Sequence, residues 1–303
     1  MDDRSGGNSA VAEAVIDQQP QFTAAYEPDA VSDELVAKFN RDGYIVIEDA
    51  VSPETIERVR SAADRIVAEG REPGRWWGKP ETAPRRVEYR GIFNLDDAFM
   101  DLLAPTAVFP LVVKIMGANL HMMSSQLVYQ KPHQPPTGAV RGGWHRDVIG
   151  TSEDLGYDAT PRLALRVGYY VSDISQPGSG ATLFAPGSHL LKEPIPMAQG
   201  TDNPEDFVRP KVKPGDAVIW ENRTFHAPER NTSADVRKAI MIQYGYRWLR
   251  PVDYLTHPPE LLERCDPVTR QLLDSTDLNP DGSMTRMKGS KSLLEWAAEH
   301  DLA

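Results

Sequence analysis

The chain has 303 residues, 40% hydrophobic and 25% charged, with a formal net charge of −11. That size supports a substantial core in one large or two small domains, and the negative balance argues against general nucleic-acid binding, which needs a basic surface. The lone Cys265 excludes an internal disulfide and a multi-cysteine metal site; the apolar runs are too short to span a membrane, and the acidic start "MDDRSGGNSA" is no secretory signal, so a cytoplasmic protein is expected.

Residues 1–28 lack apolar periodicity and read as a flexible tail; residues 29–303 read as a single domain. "VSDELVAKFNRDG" predicts a short helix that Ser32 caps and Gly43 ends. "YIVIED" follows as a strand. "SPETIERVRSAADRIVAEG" is the clearest helix, with Ser52 at the N-cap, Pro53 in the first turn and Gly70 past the end. Its apolar stripe is Ile56, Val59, Ala63, Ile66 and Val67.

Residues 71–90 read as irregular, with two tryptophans and six basic residues against three acidic. Helical patterns follow at 95–104 and 107–117. From residue 120 the texture becomes β: "LHMMSSQLVYQK", "RLALRVGYYVSD", "ATLFAP", "DAVIW" and "RKAIMIQYGYRWL" are strand candidates between Gly/Pro-rich turns. Several alternate apolar with polar residues, as half-buried antiparallel strands do; Leu163, Leu165, Val167, Tyr169 and Val171 are one such series. Helical patterns return at 259–273 and 291–300. The layout predicts a mainly β domain with flanking helices, its sandwich or barrel core at about 120–250.

The chemistry centres on "RGGWHRDVIG". His145 and Asp147 stand two residues apart, so on an extended strand both point to one side. Two histidines and one carboxylate suit iron(II) and leave coordination positions open for substrate and oxygen. The third ligand must come from elsewhere, and His226 in "ENRTFHAPERN" is the candidate. Arg237 follows eleven residues later, where its fork can grip the distant carboxylate of a dicarboxylic co-substrate. A bare His-x-Asp pair also fits a solvated turn; the ordered set of four makes the metal reading specific.

Four stretches resemble a known family, the phytanoyl-CoA dioxygenase-type (PhyH) branch of the iron(II)- and 2-oxoglutarate-dependent oxygenases. They are "DGYIVIEDAVSPETIERVR", "WHRD", "GSGATLFAPGSHL" and "KPGDAVIWENRTFHAPERNTSADVRKAIMIQY". The resemblance covers about residues 32–250. It implies a double-stranded β-helix of jelly-roll, cupin-like type, with His145, Asp147 and His226 as iron ligands. It implies 2-oxoglutarate and O2 as co-substrates, with Arg237 on the far carboxylate and Thr182 and Tyr129 beside it. The activity it implies is hydroxylation of a small molecule. The same ligands also serve desaturation, cyclisation, epoxidation, epimerisation or oxidation of an acyl thioester. A metal-free cupin-like binding module is the rival outside enzymology. Relatives that halogenate lack the carboxylate ligand, and Asp147 is present. The Arg-, Ala-, Pro- and Gly-rich composition fits a GC-rich bacterial genome and natural-product biosynthesis.

Substrate contacts are sought in the variable parts. The net charge of +3 over 71–90 could draw an anionic substrate, with Trp76 and Arg90 as contacts, against the plainer reading of a solvated loop. His133 sits in "KPHQPPTGAVRGG", which should overhang the iron. Arg166 lies opposite Leu165 and Val167, either inside a barrel mouth or merely solvated. His189 is expected to shape a turn, Trp144 to pack, and Arg146 to face outward.

Overall fold

A computed structural model describes residues 20–27, 31–70, 75–77, 86–133, 143–148, 150–254, 256–273 and 292–302. Helix α1 (Asp33–Asp42) opens where Ser32 Oγ accepts from the Leu35 N–H, and closes at Gly43, whose φ is 77°. A Cβ on Gly43 would lie 2.5 Å from both His189 Nδ1 and Thr224 Oγ1, so glycine is required there for space as well as for its dihedral. Helix α2 (Pro53–Ala68) starts in the same way, with Ser52 Oγ accepting from the Thr55 N–H. It buries Ile56, Val59, Ala62, Ala63 and Ile66, each larger aliphatic side chain contributing about 2 kcal/mol of burial energy. The pattern at 95–104 becomes a 3-10 stretch, Asp97–Leu102, and the next becomes α3 (Phe109–Met116).

Among the described residues the main sheet has seven strands, all paired antiparallel. They are β1 (Tyr44–Ile47), β2 (Arg75–Trp77), β3 (Arg86–Arg90), β4 (Leu120–Gln130), β5 (Ala164–Tyr170), β7 (Ala217–Glu221) and β9 (Arg237–Tyr246). Their order is β1-β7-β5-β9-β4-β3-β2. A small second sheet pairs β6 (Thr182–Phe184) with β8 (His226–Pro228). The result is a jelly-roll double-stranded β-helix. Short helices α4 (Thr151–Leu155), α5 (Pro259–Leu262), α6 (Pro267–Leu273) and α7 (Ser292–Glu299) complete the described α-helices.

Two corrections concern boundaries. Segment 71–90, read as irregular, contributes two strands, β2 and β3, that extend the sheet beyond β4. Residues 20–27, read as part of a loose tail, run as a strap. Phe22 forms a parallel bridge with Cys265, the Ala24 N–H donates to Asp266 Oδ2 at 3.0 Å, and the Tyr26 ring stacks on His300 at 4.2 Å. Residues 1–19 lie outside the described residues.

The sheet's faces also differ from the expectation of one wet side. Leu165, Val167, Tyr169 and Val171 pack with α2 and α3 in the larger core. The alternate residues Arg166, Gly168 and Tyr170 face the second sheet. A smaller core of Val128, Tyr170, Phe184, Trp220, Ala239 and Met241 fills the space between the sheets. Strand β5 is buried on both faces, apart from half-buried Arg166. Polar residues in this alternation therefore line the barrel rather than meet bulk water. No described helix is long and apolar enough to cross a membrane.

His121 on β4 is buried outside the site, and burial, then the neighbouring Arg247, pulls its pKa down to about 4. The unfolded chain takes a proton near 6.5 and the folded chain does not. This histidine's contribution is thus intact above pH 6.5 and is lost as pH falls towards 4, by on the order of 3 kcal/mol. Chemical denaturation of the metal-free protein at pH 7, 6 and 5 should show stability falling with pH. His121→Gln should flatten that slope; an unchanged slope would remove His121 from the effect.

Candidate metal centre

The metal pair sits on very little regular structure. In place of the extended strand expected across His145–Asp147 there is one bridge residue and then a bend. His145 and His226 exchange both backbone hydrogen bonds, each at 3.0 Å, and Val148 already has a φ of 55°. The bridge sets the two imidazoles side by side, with ring centroids 4.2 Å apart.

Each ring is held by its Nδ1. His145 Nδ1 lies 2.8 Å from the Gly143 carbonyl oxygen, and His226 Nδ1 lies 3.0 Å from that of Thr224. A carbonyl can only accept, so each Nδ1 carries a proton, and Nε2 is the nitrogen a neutral ring would offer to a metal. Burial, then His145 beside it, pulls the His226 pKa down to about 4, so that ring is neutral at physiological pH. Ligand atoms of His145, Asp147 and His226 all fall within 4.8 Å of one another. These residues fit a divalent ion by donor type, protonation and spacing.

Asp147 is held by a partner that sequence reasoning did not find. Trp220 Nε1 donates to Asp147 Oδ2 at 2.9 Å from the end of β7. Arg166 Nε is 3.1 Å from the same oxygen, and its Nη2 donates to Gln243 Oε1 at 3.3 Å. Burial alone would raise the Asp147 carboxyl. The Arg166 guanidinium and the Trp220 N–H counter it, and the pKa lies below its ordinary value. Arg166 therefore stands inside the barrel, paired with a ligand carboxylate.

Arg237 opens β9 and is 4% exposed. Among the described residues no carboxylate pairs with it, and its Nε is buried without a partner. Its guanidinium carbon lies 5.3 Å from the Tyr170 ring centre, and Tyr170 Oη is 2.8 Å from Thr182 Oγ1. A Cβ on Gly180 would come within 3.2 Å of Arg237 Cδ and 3.0 Å of Gln130 Oε1. This is an unmatched buried cation beside two hydroxyls, in a corner kept open by glycine. It fits a carboxylate ligand.

Tyr129 is not in that corner. In the β4–β9 ladder Tyr129 faces Lys238, and Gln130 faces Arg237. The Tyr129 hydroxyl donates to Asp64 of α2, and Lys238 Nζ lies 5.5 Å from its ring centre. With a strand period of two, the neighbour of an inward residue must point outward. The amide near Arg237 is that of Gln130. Parity along β5 from Arg166 would have found Tyr170, but Gln130 needs the strand register.

The remaining candidates are dispersed. Arg90 Nη2 donates to buried Glu88 at 3.1 Å, so its charge is matched. Trp76 is in β2, opposite Val87 in register, and its side chain lies outside the described set. The His133 N–H donates to the Asn231 carbonyl at 2.7 Å, while residues 134–142 of its loop lie outside the described set. His189 Nε2 lies 3.0 Å from the Asn40 carbonyl oxygen at the end of α1. Trp144 packs edge-on against Phe207 and donates to Asn203 Oδ1 at 3.1 Å. Arg146 does point away from the ligands, but it is buried rather than outward-facing.

The family model described as phytanoyl-CoA dioxygenase (PhyH) matches residues 39–239. The ectoine dioxygenase of Nocardia farcinica is 25% identical over 241 residues, covering 71% of this chain and 78% of that protein. The multifunctional dioxygenase prhA of Penicillium brasilianum is 26% identical over 234 residues, covering 74% and 75%. The epimerase SnoN, solved with Fe3+, alpha ketoglutarate and nogalamycin RO, is similar at a TM-score of 0.58 and 20% identity, covering 74% of this chain and 88% of that one. The last likeness is one of fold.

Removing the indole N–H tests the hold on Asp147. Trp220→Phe keeps most of the ring volume and should weaken divalent-metal affinity about 10–100-fold. Titration calorimetry with manganese(II) reads this, and unchanged affinity would deny Trp220 that role.

Proposed function

The chain belongs to the phytanoyl-CoA dioxygenase (PhyH) family, and on that premise we propose an iron(II)- and 2-oxoglutarate-dependent dioxygenase that hydroxylates an unactivated C–H bond of a small molecule. The observation that carries this reading is the convergence of His145, Asp147 and His226 within 4.8 Å, with both Nδ1 atoms turned to carbonyls. His145 Nε2, His226 Nε2 and the Asp147 carboxylate would hold the iron. Bound iron and 2-oxoglutarate supply the oxidising power, placing one atom of O2 on the substrate while 2-oxoglutarate leaves as succinate and carbon dioxide.

The protein's own work is binding, orientation and exclusion of water. Arg237 grips the far carboxylate of 2-oxoglutarate, with Thr182 and Tyr170 offering hydroxyls beside it. Trp220 and Arg166 keep the Asp147 carboxylate ionised and aimed. Phe184, Trp220 and Met241 wall the site with apolar surface. Arg166 is matched by Asp147 and Arg90 by Glu88, so the described wall has little unmatched positive charge to offer an anionic substrate. A small molecule of natural-product biosynthesis suits the site, and the likeness in fold to the epimerase SnoN from nogalamycin biosynthesis is in keeping with that class. Hydroxylation leaves a product one oxygen heavier, desaturation or cyclisation one two hydrogens lighter, and epimerisation one unchanged in mass.

Two variants test the reading, with succinate formation from 2-oxoglutarate in the presence of iron and ascorbate as readout. Asp147→Ala should lose iron-dependent turnover while its circular dichroism stays native; wild-type rates would sink the ligand assignment. Arg237→Gln removes a charge-assisted bidentate grip and should raise the apparent KM for 2-oxoglutarate at least about tenfold. An unchanged KM would take Arg237 out of the corner.

A further inference from the structure

We propose that Arg146, the residue between the two ligands of the His-x-Asp pair, is the positioning residue that sets the separation of His145 and His226 from behind; this rests on the iron reading above. Its side chain points away from the site and is nonetheless buried, at 7% exposure. Nη2 donates to the carbonyls of Ser188 and Leu191, both at 2.9 Å. The guanidinium carbon lies 4.8 Å from the Tyr157 ring centre and 4.9 Å from that of Phe225, two rings parallel to within 8°. Its Nε has no hydrogen-bond partner, and the carboxylate whose field it feels, Glu221, is already paired with Arg162 and Arg223.

A buried cation whose only nearby carboxylate is already matched elsewhere is costly, and a methionine would fill the volume at lower cost. What a planar, multi-donor cation can do is tie separate chain segments together at once. Arg146 is covalently next to His145, and Phe225 is covalently next to His226. Ser188 closes the loop between them, because its carbonyl accepts from Arg146 and its Oγ accepts from the Phe225 N–H at 2.8 Å. Both ligand-bearing segments are short, and the His145–His226 bridge is their direct backbone link. The Arg146 side chain gives that link a second point of attachment on its reverse face. Two points fix an angle, and the angle between the segments decides how far apart the two Nε2 atoms stand. Lysine keeps the charge but loses the plane and the fork.

The test uses full-length protein loaded with cobalt(II), read by calorimetry and by the d–d absorption of the bound ion. Arg146→Lys should fold, weaken cobalt affinity about 10–100-fold and alter the d–d band shape. Ile66→Val in α2, remote from the site, serves as the stability control and should leave affinity and spectrum at wild-type values. Arg146→Lys with wild-type affinity and spectrum would overturn the proposal. So would an Ile66→Val protein that loses affinity in proportion to its loss of Tm. Should Arg146→Lys fail to fold, Tyr157→Leu carries the test, since it removes one ring beside the guanidinium without touching a ligand segment. Several-fold weaker binding supports the proposal and unchanged binding overturns it. Wild-type protein that binds no divalent ion would instead refute the iron reading itself.

Discussion

The structure turns on one two-bond bridge. His145 and His226 exchange backbone hydrogen bonds at 3.0 Å, joining a segment that follows β4 to the short strand β8 of the second sheet. Because paired residues on antiparallel strands carry their side chains to the same face, this bridge points both imidazoles into the barrel together. Everything else in the site is arranged around that constraint. The Gly143 and Thr224 carbonyls set the tautomers, Trp220 and Arg166 hold the carboxylate, and Arg146 braces the pair from outside.

The barrel interior is expensive to build. Charges at this depth lose their hydration, and only partners within the protein restore it. Asp147 has Arg166 and the Trp220 N–H, Glu221 has Arg162 and Arg223, and Glu229 has Arg209. Arg146 and Arg237 are both buried without an ion-paired carboxylate among the described residues, but Arg146 donates to two carbonyls, whereas the buried Nε of Arg237 has no partner. A buried cation with neither a carboxylate nor a carbonyl to donate to marks where an external anion belongs. The apolar core between the sheets ends against it, through Tyr170.

The local chemistry was readable one element at a time. Ser32, Ser52 and Pro53 announce two helix starts because capping is a matter of a few adjacent residues. The long β runs declare themselves by aromatic and β-branched content. Strand β3 did not, since its "RVEYR" alternation looks like charged surface when its polar side in fact faces the barrel. The same inversion hid Arg166, left between an interior and a solvated reading. Alternation shows that two faces differ but not which of them meets water; that depends on the layer packed against each face.

The sequence by itself determined which candidate donors are present, their order and their spacing, because the identity and chain order of those atoms are covalent. The cofactor class was legible through the family resemblance that His145, Asp147, His226 and Arg237 carry together. Only the tertiary structure decided register and depth. Tyr129 and Gln130 are neighbours, and the pairing of Gln130 with Arg237 sends one to the helices and the other to the site. Arg146 and Trp220 gained their places in the same way, from contacts between segments far apart in the chain. Such contacts follow from how two sheets and a layer of helices close on each other, and no local pattern encodes them.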